Sequence, residues 1–198
     1  MPRAGLTPGR IVAEAAATAD ETGLERLTLA AVAKRCGVSL PGLYKHVDSL
    51  DAVRWGIAVL AVGELTDVLS RAAVGLSGRD ALHAIAAAYR GYAAAHPGRY
   101  ATTVWAPRPG DEDHLAAGAA AVGVIAAALK GYGITGDDAT DAIRMLRAAL
   151  HGFVALEAAG GFGLARPLGF AFDRLVDSLD ASYRTWYDDR PPSRAEAR

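Results

Sequence analysis

Residues 38–47 read VSLPGLYKHV. A phenol, an ammonium and an imidazole stand side by side at Tyr44, Lys45 and His46, just behind Ser39, Pro41 and Gly42. Such groups donate hydrogen bonds and carry positive charge, which suits an anionic surface better than a hydrocarbon core. On a helical wheel of about 100° per residue, Leu40, Leu43 and Val47 cluster on one side. Pro41 and Lys45 lie opposite, flanked by Gly42, Tyr44 and His46. The apolar side is expected to pack inward. The outer face begins small and rigid, where a backbone can approach another surface closely, and then turns aromatic and basic.

The elements that must hold this face are legible as caps and stripes. Thr7 and Pro8 open a helix that runs to Gly23, a hydroxyl acceptor followed by a residue whose missing N–H does no harm in a first turn. Thr28 caps the next helix. Leu29, Val32, Ala33 and Cys36 then fall at i, i+3, i+4 and i+7 as one buried stripe, and Gly37 is placed to end it in the left-handed conformation. Ser39 caps a third helix only two residues later. Two short helices joined by so tight a glycine turn must cross steeply, which is the helix-turn-helix layout. Beyond Asp48 and Ser49, helical segments are expected at about 50–71, 78–95, 97–105, 113–131, 137–159 and 168–187, divided by glycine- and proline-rich stretches. No period-two alternation is long enough for a sheet, so the fold class is all-α. Residues 1–48 are expected to form a three-helix helix-turn-helix domain, 49–188 a helical bundle and 189–198 a mobile tail.

Composition excludes several function classes. Just over half of the 198 residues are apolar, yet charges recur every few positions, and no uninterrupted apolar run approaches the roughly 20 residues of a membrane span. The start, MPRAGLTPGR, has no apolar stretch of signal-peptide type, and the single cysteine, Cys36, has no partner in the chain. Both favour the cytoplasm and no membrane. Cys36 sits on the buried stripe and reads as a packed thiol rather than a redox sensor. The net charge of -1 hides an asymmetry: residues 1–47 carry six basic groups (Arg3, Arg10, Arg26, Lys34, Arg35, Lys45) against four acidic ones (Glu14, Asp20, Glu21, Glu25), net +2, and the remainder sums to -3. The five histidines lack ligand spacing, so neither a metal nor another cofactor is expected. The glycine-rich AAGGFGLAR follows a helix where a dinucleotide loop must follow a strand. No Gly-x-Ser-x-Gly elbow or paired-carboxylate constellation is present, and the chain is not expected to be an enzyme.

LTLAAVAKRCGVSLPGLYKHV resembles the N-terminal helix-turn-helix of TetR/AcrR-type transcriptional regulators, with Leu27, Thr28, Ala33, Gly37, Val38, Ser39, Leu43, Tyr44 and His46 in register, over about residues 6–60. HPGRYATTVWAP at 96–107 and LHGFVALEAAGGFGL at 150–164 resemble the C-terminal domain of the branch named for its Trp and His-Gly motifs. The resemblance implies an all-helical homodimer, two recognition helices in successive major grooves of near-palindromic double-stranded DNA, and a C-terminal cavity for a small-molecule effector. Carried across by position, Thr28, Ser39 and Tyr44 contact phosphates, while Leu40, Pro41, Gly42, Lys45 and His46 lie on or near base edges. Where many members have a lysine after the recognition helix, this chain has Leu50 between Asp48 and Asp51. Affinity is therefore expected to rest on Arg3, Arg10, Lys34 and Lys45.

The function expected is that of a DNA-binding regulator, a repressor rather than an activator. Its ligand is expected to be largely apolar: Tyr89, Tyr92 and Trp105 are candidates to line a cavity, with Arg147 or His151 as orienting donor. Gly152, a mid-helix glycine costing about 1 kcal/mol relative to alanine, needs a reason; a close helix crossing at a dimer seam and a pocket wall both supply one. The seam is expected to use segments 137–159 and 168–187, packed as a four-helix bundle across the two-fold axis. Their apolar stripes run along Ile143, Leu146, Leu150 and Phe153 and along Phe172, Leu175, Val176, Leu179, Tyr183 and Trp186, facing either the partner or the chain's own core. The alternative is a helical small-molecule-binding or scaffolding protein that has lost DNA binding, which the acid pair around Leu50 favours.

Overall fold

Hydroxyl caps and glycines set the first helix boundaries. The computed structural model describes residues 6–188; Arg3 and the 189–198 tail lie outside the described residues. Thr7 caps α1 (Pro8–Thr22), its side-chain oxygen accepting from the Arg10 amide at 3.2 Å. Thr28 caps α2 (Leu29–Cys36) through the Ala31 amide, and Ser39 caps α3 (Leu40–Leu43) through the Gly42 amide, both at 3.2 Å. There follow α4 (Leu50–Ala73), α5 (Gly78–Ala95), α6 (Pro97–Tyr100), α7 (Glu112–Leu129), α8 (Gly136–Ala158) and α9 (Gly169–Arg184), with 3-10 turns at Leu24–Arg26 and Lys130–Tyr132. The described residues hold no strand, and the fold is all-α as expected.

The segment expected at 97–105 is helical only to Tyr100. Beyond it the amides of Thr102 and Thr103 bond three residues back, and their hydroxyls donate to the carbonyls of Arg99 and Tyr100 at 2.7 and 2.8 Å. Threonine side chains that compete in this way tighten the last turn and stop propagation.

Packing divides the chain into two compact units. One runs to Val68 and resumes over Tyr89–Ala121; the other takes Leu69–Ala88 and continues from Val122. This division differs from the one expected at residue 48, because α4 shares the N-terminal core. In the first unit Ile11, Ala15, Ala16 and Ala19 of α1 pack with Leu27, Val32, Cys36, Leu43, Val53 and Ile57. Full burial of one such leucine or isoleucine stabilises the fold by roughly 1.5–3 kcal/mol. Gly98 of α6 lies against α1 so closely that any side chain there would run into the backbone of Ala19 and Asp20.

In the second unit, Leu82, Ile85, Leu129, Ile134, Leu146, Leu150, Val176 and Tyr183 are buried. The Tyr183 hydroxyl donates to the Ala142 carbonyl at 2.8 Å and pins α9 to α8. Most of the apolar stripes of these two helices therefore face the chain's own core: Leu146, Leu150, Phe153, Phe172, Val176, Leu179 and Tyr183 are buried without any partner chain. Periodicity says that a face is covered, not by what.

The longest helical apolar stretch is α7, although its uninterrupted apolar run stays short of membrane-span length. With the turn after it, Glu112–Tyr132 forms 21 helical residues, long and apolar enough to cross a membrane by length and composition. Its uninterrupted apolar part, 115–129, consists mostly of alanine and glycine. Helix length, rather than the run, satisfies the criterion.

Candidate nucleic-acid interface

The outer face of α3 is built from below. Gly37 takes φ 71° and ψ 31°, a left-handed conformation that costs glycine little and other residues more. Its amide and that of Val38 bond back to Lys34 and Ala33 at 3.2 and 3.0 Å, ending α2. Ser39 then starts α3, whose Leu43 is completely buried and anchors the turn to the α1–α2 core.

α3 is a single turn. Tyr44 still bonds to the Leu40 carbonyl, at 3.2 Å, but His46 bonds only three residues back, to Leu43, at 2.9 Å. Pro41 contributes no N–H and Gly42 lowers helix propensity, so little favours propagation. This corrects the wheel reading of Leu40. Placed at the first position of a one-turn helix, it projects outward and is 38% exposed, leaving Leu43 and the half-buried Val47 to face the core.

Of the residues carried over as DNA contacts, Thr28, Ser39, Leu40, Pro41, Tyr44, Lys45 and His46 are exposed and Gly42 is half-buried. A Cβ at Gly42 would meet Ser39 Oγ at 3.2 Å. The hydroxyl oxygens of Thr28 and Ser39 are used as caps, but a hydroxyl that accepts still has its proton to donate, and a phosphate oxygen can take it.

Two of the local cations are spent inside the fold. Arg35 is held by Glu14 and Glu21, and the Arg26 side chain donates to the Thr22 carbonyl. Lys34 and Lys45 are exposed, as is Arg10 in the first turn of α1. Asp51, in the first turn of α4, is paired with Arg108 at 2.9 Å. The Arg108 guanidinium also lies 4.1 Å over the Trp55 ring. No local signal announces this contact, since the pair is 57 residues apart.

The loop that delivers Arg108 is clamped. The Trp55 indole N–H donates to Asp111, whose other carboxylate oxygen accepts from the His114 amide at 3.0 Å. These two donors, the backbone one first, hold the Asp111 carboxyl below its ordinary value. Trp105 stacks beside Trp55 with centroids 6.0 Å apart, and His114 meets Trp55 edge-on at 5.1 Å.

The candidate ligand residues fall in both compact units. Tyr89, Tyr92 and Trp105 belong to the first. The Tyr89 and Tyr100 hydroxyls are 2.9 Å apart, and the Tyr92 hydroxyl lies 3.1 Å from Glu64 and 3.3 Å from the Ala61 carbonyl. Burial, reinforced by Glu64, pushes the Tyr92 phenol up. Arg147, exposed, and His151, half-buried, belong to the second unit, on α8. Gly152 next to them has open space around it. Among the described residues no cluster of three or more His, Cys, Asp or Glu could hold a metal ion.

Comparison with known proteins agrees with this architecture. Residues 11–51 match the family described as bacterial regulatory proteins, tetR family, and residues 82–179 match the tetracyclin repressor-like C-terminal domain. The chain is 37% identical over 158 residues to the uncharacterized HTH-type transcriptional regulator Rv0681 of Mycobacterium tuberculosis, covering 79% of this chain and 72% of that one. It is 31% identical to the uncharacterized HTH-type transcriptional regulator YobS of Bacillus subtilis, over 93% of both chains. In fold it is similar to a TetR variant from Acinetobacter baumannii AYE solved in complex with minocycline, with TM-score 0.70, 22% identity and coverage of 92% and 98%. With the helix-turn-helix geometry in place and relatives matched along most of its length, the chain belongs to the TetR family of bacterial transcriptional regulators, with its DNA-binding domain at the N-terminal end.

Proposed function

We propose that this regulator is a cytoplasmic homodimeric repressor, released from a near-palindromic operator by a small, largely apolar ligand. The observation that carries the DNA half is the outer face of α3. Ser39, Tyr44, Lys45 and His46 stand exposed over a completely buried Leu43, so the face is rigid where it must be and polar where it must read. Two such faces about 34–36 Å apart, related by a two-fold axis, would enter successive major grooves.

The seam of the dimer is assigned to the outer face of α8. Gly152 is exposed with nothing near its missing side chain, and Leu156, one turn on, is 50% exposed. A glycine at that place lets a second helix approach closely. His151 and Gly152 supply the His-Gly pair of the branch named for Trp and His-Gly motifs.

Release follows if a ligand prefers the dimer state that holds its recognition helices at the wrong spacing; it shifts the population by its differential affinity for the two states. Minocycline in the Acinetobacter regulator supports a small effector. The test is a gel shift against DNA flanking the gene, at low and moderate salt. A retarded band that a ligand abolishes, while raising the melting temperature, supports the reading. Absence of binding at low salt rejects it.

A further inference from the structure

The surface that follows Tyr44, Lys45 and His46 in the chain is acidic. Asp48 is exposed, and Asp51 sits in the first turn of α4, which Ser49 starts by accepting from the Ala52 amide at 3.0 Å. Carboxylates there repel phosphate. Arg108 answers this charge from the loop between α6 and α7. It reaches Asp51 through one nitrogen, Nη2, at 2.9 Å.

A guanidinium has five N–H donors in a planar fork. With one given to Asp51 and its face against Trp55 at 4.1 Å, the group has a fixed plane and further donors, and its side chain is 51% exposed. The backbone under it is a turn: the Asp111 amide bonds to the Arg108 carbonyl at 3.1 Å, and prolines at 107 and 109 restrict the chain on either side. Trp55 ties the same loop down through Asp111. The cation is thus placed at the start of α4 with little freedom left to lose.

We propose that Arg108 is a DNA-phosphate contact of this protein, held beside the helix-turn-helix by Asp51 and Trp55 and supplied from outside residues 1–48. It bridges Asp51 and a backbone phosphate, and so turns a repulsive edge into a binding one. This rests on the DNA-binding reading above.

The experiment is a salt titration of binding, by fluorescence anisotropy, to a labelled duplex of about three helical turns of arbitrary sequence. It compares the native chain with Arg108→Ala, Arg108→Lys, Asp51→Asn/Arg108→Ala and Lys45→Ala. Each phosphate contact contributes about 0.9 to the slope of log affinity against log salt. With two copies of Arg108 per dimer, Arg108→Ala and the double variant should both be shallower by about 1.8, while Arg108→Lys keeps the native slope. A native slope in Arg108→Ala overturns the proposal. So does a native slope in the double variant, which would mean that Arg108 only cancels Asp51. If Arg108→Ala loses its fold by circular dichroism, Arg108→Gln, which is longer and polar but uncharged, takes its place with the same expected slope. Failure of the native chain to bind at low salt removes the DNA-binding reading itself; that outcome is distinct from one in which Lys45→Ala weakens binding and Arg108→Ala does not.

Discussion

Arg35 and Glu21 form a forked ion pair between α2 and α1, with Nη1 2.7 and 2.8 Å from the two carboxylate oxygens, while Arg35 Nε takes Glu14 at 2.8 Å. These acceptors raise the guanidinium above its already high ordinary value. Although it counts among the six cations of residues 1–47, its charge is spent in joining two helices. Arg35→Ala is expected to lower the melting temperature only slightly, because exposed pairs contribute little, and to leave the salt dependence of DNA binding unchanged. A slope shallower by about two, one unit for each protomer, would instead place Arg35 on a phosphate.

Tyr44 and Lys45 should fail in different ways. Both are exposed and clear of the core, so Tyr44→Phe and Lys45→Ala should melt like the native chain. Competition binding with single-base-pair operator variants separates them. Loss of a phosphate-bonding Tyr44 hydroxyl weakens every sequence alike, whereas a base-reading Lys45 gives up roughly 1–3 kcal/mol of discrimination at one position. Unchanged binding by both would remove α3 from the interface.

For the seam, Leu156 is the informative residue. Leu179 is buried in its own chain, so a charge there damages the fold before it reports on assembly. Leu156→Glu should leave helicity intact and halve the mass measured by light scattering. A dimer that survives it puts the seam on another face.

The Trp55–Asp111 clamp carries a pH signature. The carboxyl of Asp111 is depressed below its unfolded value of 3.8. Its contribution is fully present above that value and is lost as pH falls through the lower folded one. The part of the tryptophan fluorescence that reports protonation of Asp111 should therefore change only below about pH 4. In Asp111→Asn, which has no proton to gain, that component should be missing. The same low-pH component persisting in Asp111→Asn would contradict the clamp.

The first helices were legible because their signals are local. Thr7, Thr28 and Ser39 each cap within three residues, and Gly37 is read from its own backbone requirement. Leu40 was not, since a wheel assumes a helix that continues and α3 stops after one turn. The stripes of α8 and α9 were found but not their partners, because burial in one's own core and burial at a seam leave the same periodicity. Arg108 was invisible for a different reason: its role comes from a contact with Asp51 across 57 residues, which no window of sequence contains.

Cys36 is the one cysteine of the chain and is buried under the helix-turn-helix, where desolvation pushes its thiol up. Thiolate, the reactive form, is therefore scarce at neutral pH and shielded from reagents. A maleimide dye or nitroxide offered to the native chain should find almost nothing to modify. A single cysteine introduced on an exposed position, such as Ser178 of α9, can then be labelled alone. Pairs of such labels across a dimer would report distances directly, with no need to remove the native thiol from its place in the core.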